Sequence, residues 1–298
     1  MSPPAHPHVS ADDALVVLVT GASSGIGAAT ALAWAGRGAR LVLLSRSAGA
    51  LERVRRRCAE AGGEVHVVIG DVTDVDQVQA AVDEAVRRWG RLDVCVSSAA
   101  VMSYGTHVQT PREVFDQVVS VNLLGAANVA RSALVTFRRQ QSGTLVVVGS
   151  LLGRVPVPLA GPYVTSKWGL RGLVRVLQQE NRDLPGVHVV SVAPGAVRTP
   201  IYRQAATYLG RHGAPPPPVT TPERVARVVL AAVERPRRER DADALGGVLN
   251  KAMSAAHLVV PGLYDVLVGP LMSRFGTGRA PQSATAGNVF TPVPELEE

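Results

Sequence analysis

Six short runs of β-branched and aliphatic residues, separated by stretches of helical character, leave few architectures open to this chain. They are Leu15 to Thr20, Leu41 to Ser45, Val65 to Ile69, Val94 to Ser97, Leu145 to Gly149 and Val187 to Val192. Each is an almost unbroken series of Val, Leu and Ile. A strand with one wet face would alternate apolar and polar residues, so these strands must be covered on both faces. Strands alternating with helices connect through right-handed βαβ crossovers, which predicts an α/β protein whose parallel sheet carries helices on both sides.

The helices have readable starts. Asp74 can cap the segment running to Trp89, and Thr110-Pro111-Arg112-Glu113 offers an N-cap, a proline at the first helical position and a capping-box acid. Thr220-Thr221-Pro222-Glu223 does the same before Val225 to Val233, and Gly161 to Leu184 should form a long helix ended by Pro185-Gly186. Residues 1–13 are expected to be a disordered tail and 14–240 a single domain. Within it, 196–219, which includes Pro215 to Pro218, reads as a long mobile loop. Residues 241–275 read as a helical extension, apolar from Leu245 to Phe275 and broken by Pro261 and Pro270, and 276–298 as a flexible polar tail.

Composition excludes several classes. With 298 residues, 46% apolar and 18% charged, the chain has the material for a large core. The formal charge of +7 is no nucleic-acid signature: the cations are scattered, and 29 of the 31 are arginine, with Lys167 and Lys251 the two lysines. Cys58 and Cys95 stand far apart, without metal-ligand spacing or a disulfide framework, which predicts a metal-free protein in a reducing cytoplasm. The segment MSPPAHPHVSADD lacks the basic and apolar regions of a secretory signal, and no uninterrupted apolar run reaches the roughly 18 residues of a spanning helix.

The first strand leads into Thr20-Gly21-Ala22-Ser23-Ser24-Gly25-Ile26-Gly27 and then a helix. Glycines serve here where the turn is tight, where backbone approaches a pyrophosphate and where helix meets strand; the helix start adds free N–H groups and a positive dipole end. Placed after the first strand, the motif points to a dinucleotide.

With that motif the chain resembles the short-chain dehydrogenase/reductase family, in its non-extended, NADP-preferring branch, whose Gly-x3-Gly-x-Gly spacing occurs at Gly21, Gly25 and Gly27. Further motifs follow in order over residues 14–235. Asp71 stands at the end of the third strand, Asn122 lies in Val121-Asn122-Leu123-Leu124-Gly125, and Ser150 closes the fifth strand. Tyr163-Val164-Thr165-Ser166-Lys167 comes next, then Pro194-Gly195 and Thr199. The resemblance implies a Rossmann-type doubly wound sheet of six to seven strands in the order 3-2-1-4-5-6-7. It also implies an oxidoreductase that moves a hydride between a nicotinamide cofactor and a carbonyl or secondary alcohol. Ser23, Ser24 and Ile26 would lie along the pyrophosphate, Asp71 and Val72 at the adenine, and Ser98 and Ala99 behind the ribose. Pro194, Gly195, Val197 and Thr199 would meet the nicotinamide amide.

The chemistry such a reaction needs is legible in the residues. Reducing a ketone creates an alkoxide, so a proton donor must stand within reach with its pKa drawn toward neutrality. A free tyrosine titrates near 10. Lys167, at i+4 from Tyr163, shares its helix face and favours tyrosinate by charge proximity. The lysine also has to bond the nicotinamide ribose, a task for a compact ammonium. In a chain so committed to arginine, a lysine at this place is notable. Ser150, at a strand's carboxyl end, can hydrogen-bond the substrate oxygen. The resemblance implies that Asn122 bends its helix and holds a water leading from Lys167 to solvent.

Cofactor choice turns on the end of the second strand, where NAD enzymes of this kind carry an acid for the adenosine 2′-hydroxyl. Here stand Ser45-Arg46, a pairing suited to a 2′-phosphate, so NADP(H) is expected over NAD(H). Two features depart from the family. Ser97-Ser98-Ala99-Ala100 replaces the usual Asn-Asn-Ala-Gly, and the seventh strand is obscure, because Arg235 to Gly247 is charged and lacks a β-run. Val101, Leu152, Tyr202 and Tyr208 are expected at the nicotinamide end, an apolar lining that points to a lipophilic substrate. The segment 245–275 would be a flap over that cleft or a subunit interface, or a peripheral membrane contact. By resemblance, the helices holding Asn122 and Tyr163 form the interface of a homodimer or homotetramer. The competing reading is a catalytically silent dinucleotide-binding regulator on the same fold.

Overall fold

The computed structural model describes residues 14–293; the expected N-terminal tail, 1–13, and the last five positions lie outside the described residues. Seven parallel strands form the central sheet: β1 Val16–Thr20, β2 Arg40–Ser45, β3 Glu64–Ile69, β4 Val94–Ser97, β5 Gly143–Val148, β6 Val187–Pro194 and β7 Glu239–Ala242. Their order is β3-β2-β1-β4-β5-β6-β7. The sheet is the Rossmann type, and its order reverses at β1, between β2 and β4, which opens a crevice at the strands' carboxyl ends.

Successive side chains of a strand point to opposite faces, and the apolar strands use both. Val16 and Leu18 enter a layer with Val82, Val129, Phe137 and Leu170. Val17 and Val19 enter the other, with Trp34, Leu51, Val225 and Leu230. The first layer belongs to helices α3 (Val75–Trp89), α4 (Arg112–Val119), α5 (Ala126–Gln140) and α6 (Gly161–Glu180). The second belongs to α1 (Gly25–Ala35), α2 (Ala48–Glu60) and α8 (Pro222–Glu234). One helical stretch, Arg112–Gln140, has the length and hydropathy to cross a bilayer. Its apolar side chains, Val114, Val118, Val129 and Phe137 among them, are instead buried in this core.

Capping follows the sequence in two of three places. Asp74 accepts from the Asp76 and Gln77 amides, and Thr221 from the Arg224 amide. Thr110 does not cap: its hydroxyl donates to the Thr106 carbonyl, and α4 starts at Arg112 behind Pro111. Helix α6 stops at Glu180, short of Leu184.

The seventh strand is present, and its charge is explained by its neighbours. β7 pairs with β6 from Ser191 to Pro194. The Arg154 guanidinium, itself nearly buried, takes Glu239 at 3.0 Å and Asp241 at 2.8 Å. An edge strand needs no apolar run when a cation from the next loop answers its acids.

Residues 196–219 are more regular than a mobile loop. Helix α7 (Ile201–Gln204) is followed by Ala206–Thr207, paired with Ser103–Tyr104, and by Arg211–Gly213, paired with Thr277–Pro281. All these partners are distant in sequence, which local patterning does not show. The extension forms α9 (Val248–Val259) and α10 (Pro261–Phe275); Pro261 separates them, whereas Pro270 sits inside α10. Asp243 anchors the extension by accepting from the amides of Leu245, Gly247 and Asn250. Asn250 then donates to the Ala193 carbonyl on β6.

Residues 276–293 are ordered as well, where a flexible tail was expected. Beyond the Thr277–Pro281 strand, Thr285 bridges to Thr207 and Val289 is wholly buried.

Candidate active site

The glycine turn is shaped by close approaches that a side chain would block. Gly21 has φ +65°, and a Cβ there would lie 2.7 Å from the Ala99 backbone. A Cβ on Gly27 would lie 2.2 Å from the Gly21 carbonyl oxygen. Thr20 locks this turn to the loop after β4, its Oγ1 accepting from the Ser98 and Ala99 amides at 3.1 and 3.4 Å. Ser24 precedes α1 in extended conformation and makes no capping bond, which leaves the helix start facing a cleft.

Every residue predicted to hold the cofactor lines that cleft. The cradle fits such a group: bare glycine backbone, an uncapped helix start and Arg46 stand along one wall.

At the other end lie Ser150, Tyr163 and Lys167. Ser150 Oγ accepts from the Leu152 amide at 3.1 Å, which seats it on a short 3₁₀ turn. Lys167 is buried, donates to the Val148 carbonyl at 3.1 Å and places its ammonium 5.5 Å from the centre of the Tyr163 ring. Burial pulls the lysine down to about 8. Burial also pushes Tyr163 up to about 12, against the lowering effect of the neighbouring Ser150 hydroxyl. Desolvation is the larger influence on the phenol.

Asn122 does not line the cleft. The helix bends at a π-turn, Ser120–Gly125, which separates α4 from α5 and turns Asn122 inward. Its Oδ1 accepts from the Val101 amide at 2.8 Å; its Nδ2 donates to the Val101 carbonyl at 2.9 Å and to Ser166 Oγ at 3.0 Å. Ser166 in turn donates to the Tyr163 carbonyl at 2.7 Å. The Asn122 side chain thus ties the segment after β4 to the helix that carries Tyr163. Ser166 carries no signal in sequence beyond its place next to Lys167; its role in this network depends on how Asn122 packs against it.

The profile of the family described as short chain dehydrogenase matches residues 15–208. The chain is a short-chain dehydrogenase/reductase. It is 32% identical over 234 residues to human "Dehydrogenase/reductase SDR family member 7", covering 76% of this chain and 69% of that one. It is 34% identical over 227 residues to "3-oxoacyl-[acyl-carrier-protein] reductase FabG" of Thermotoga maritima, covering 72% and 88%. Among solved structures, the alcohol dehydrogenase of Thermococcus sibiricus complexed with 5-hydroxy-NADP superposes with TM-score 0.67 at 30% identity, over 77% of this chain and 95% of that one.

This dehydrogenase/reductase has its own features at both ends of the cleft. The Arg46 guanidinium donates to the carbonyls of Asn288 (2.7 Å), Phe290 (3.1 Å) and Val289 (3.4 Å) and lies 3.6 Å from Asp71. Its Nε–H makes no hydrogen bond to a described residue. Asn288, Pro292 and Gln204 join the lining, and nothing local in sequence marks the first two as site residues.

On the substrate side Val101 and Tyr202 line the cleft, but Leu152 and Tyr208 do not. Leu152 packs beneath α10 with Val268, and Tyr208 packs on the core layer behind. Helix α10 also brings Met272 against the apolar cluster that holds Tyr163 and Tyr202. Cys58 and Cys95 are buried, with thiols pushed up to about 11 and about 12, and supply no nucleophile.

Proposed function

We propose that the enzyme interconverts a carbonyl and a secondary alcohol on a lipophilic small molecule, using NADP(H), with Tyr163 as general acid and base. The observation that carries this reading is the placement of the Tyr163, Ser150 and Lys167 head groups at one end of a cleft whose other end is the glycine turn and Arg46. When bound, the nicotinamide supplies or takes up the hydride. Tyr163 Oη gives the proton to the substrate oxygen in reduction and takes it back in oxidation. Ser150 Oγ hydrogen-bonds the same oxygen as its charge develops. Lys167 holds a buried cation beside the phenol ring and ribose. NADP(H) over NAD(H) is supported by Ser45 and Arg46 in the cleft lining, where no acid stands at the end of β2, and by a structural relative solved with an NADP derivative. The apolar wall of Met272, Val268 and Tyr202 supports a lipophilic substrate. The unpaired buried thiols fit the cytoplasm.

A thermal shift with each dinucleotide, followed by NADPH consumption over a panel of ketones, tests the reading. NADP(H) should stabilise more than NAD(H) at equal concentration, and hydrophobic ketones should turn over faster than charged polyols. The reverse orders would overturn cofactor and substrate class respectively.

Lys167 also sets a pH dependence. Its folded pKa is lowered to about 8, so the ammonium is present below that pH and lost above it. Anionic cofactor favours the charged form, and binding above pH 8 therefore takes up a proton. NADPH affinity should fall by up to about ten-fold per pH unit above 8 and stay level below it. Fluorescence titration from pH 6 to 9.5 reads this directly; a flat profile, or one unchanged in Lys167→Met, would remove the lysine from the site.

A homodimer or homotetramer is supported by exposed Leu124 and Val135 near α5 and Trp168 and Val176 on α6. Light scattering gives the number of copies, and one copy would refute it.

A further inference from the structure

Residues 285–292 cross the dinucleotide cleft and are held on both banks. On one bank Thr285 exchanges backbone hydrogen bonds with Thr207, and the Asn288 amide donates to the Gln204 carbonyl at 2.8 Å. The Asn288 side chain reaches Gln204 Oε1 at 3.1 Å. On the other bank the carbonyls of Asn288, Val289 and Phe290 all receive the Arg46 guanidinium. Between the banks Val289 is fully buried in the apolar layer that contains Val72, Val101 and Ala206. Asn288 and Pro292 face the cleft itself.

The crossing depends on one residue without a side chain. Gly287 has φ +52°, and a Cβ there would fall 2.1 Å from the Gln204 carbonyl oxygen. Any other residue lifts the segment away from α7.

A segment that served only to bury Val289 would not need to bring three successive carbonyls to one guanidinium. Three acceptors fix the plane and direction of that group. A guanidinium already held loses less freedom when it takes a phosphate than one free in solvent. The same segment contributes Asn288 and Pro292 to the lining of the cleft beside Arg46, so its displacement would open that side.

We propose that residues 285–292 are a strap that completes the dinucleotide site: it orients Arg46 and holds bound cofactor until its contacts with Gln204 and Arg46 break. The proposal rests on the reading of this cleft as an NADP(H) site. Asn288 and Gly287 are positioning residues in it, acting through Arg46 and Gln204.

The test uses the full chain and two variants. Gly287→Val displaces the strap by the collision with Gln204, and Asn288→Ala removes one side-chain contact with little risk to folding; melting without cofactor checks both. NADPH release is followed by stopped-flow fluorescence after mixing with excess NADP⁺. Dissociation should be about ten-fold faster or more in Gly287→Val and several-fold faster in Asn288→Ala. The preference for NADPH over NADH should narrow in parallel, which a merely structural tail would not cause. Dissociation within two-fold of the parent in both folded variants, or slower than the parent in either, overturns the strap. If the parent chain shows neither a thermal shift nor a displacement signal with either dinucleotide, the reading of the cleft itself has failed and the strap falls with it.

Discussion

Tyr163→Phe should lower kcat by about 10²–10⁴-fold, the range that a positioned general acid contributes, while leaving NADPH affinity within about two-fold of the parent. The substitution removes one oxygen and little else. The ring keeps its packing in the cluster of Met102, Val157 and Tyr202, and it still lies over the Lys167 ammonium. No cavity opens, so a loss of rate cannot be assigned to collapse of the site. Direction of reaction matters as well. With its pKa raised to about 12 before cofactor binds, the phenol carries its proton throughout the neutral range, ready to donate in reduction. Oxidation must begin from the deprotonated form, so its rate should climb with pH where the reductive rate is level. Steady-state kinetics in both directions, with cofactor binding measured separately, checks the prediction. A phenylalanine variant keeping more than a tenth of the parent rate would leave the reaction without the donor assigned to it.

Gly27→Ala should weaken NADPH binding by about 100-fold or more, equivalent to roughly 2.7 kcal/mol. The new methyl would stand 2.2 Å from the Gly21 carbonyl oxygen. Gly21 is itself packed closely on the Ala99 backbone, which a Cβ there would meet at 2.7 Å. The turn therefore opens, and the amides at the start of α1 lose the spacing with which they meet a pyrophosphate. Overpacking of this kind costs about 1–3 kcal/mol of stability, which for a domain of this size lowers Tm by roughly 2–4 °C per kcal/mol. Titration and thermal unfolding measure the two effects. Parent-like affinity would show that the turn is not the phosphate cradle.

The strands were legible because strands buried on both faces cannot avoid writing themselves as Val, Leu and Ile runs, from Val16–Thr20 onward, whereas their order was implied by the family resemblance. The cleft residues were legible because turn, strand end and helix start each demand particular residue types. Other features were not. The charged strand Glu239–Ala242 is answered by Arg154, 85 residues earlier, and no window of sequence contains both. The pairing of Arg211–Gly213 with Thr277–Pro281, and the burial of Val289, are likewise long-range. Asn122 was placed correctly in a bent helix, yet its partners, Val101 and Ser166, depend on how three elements pack. Spacing on one helix could bring Lys167 near Tyr163, but only packing decides that the ammonium meets the ring and that burial outweighs charge.

The contact between Arg46 and the Asn288 carbonyl spans 242 positions of chain. During synthesis Arg46 therefore emerges 242 positions before the carbonyl it binds, and the glycine turn must wait for that segment before this wall of the cleft exists. If the strap acts as proposed, a nascent chain halted after the sheet is built would hold an open crevice and release the dinucleotide faster than the chain that includes residues 285–292.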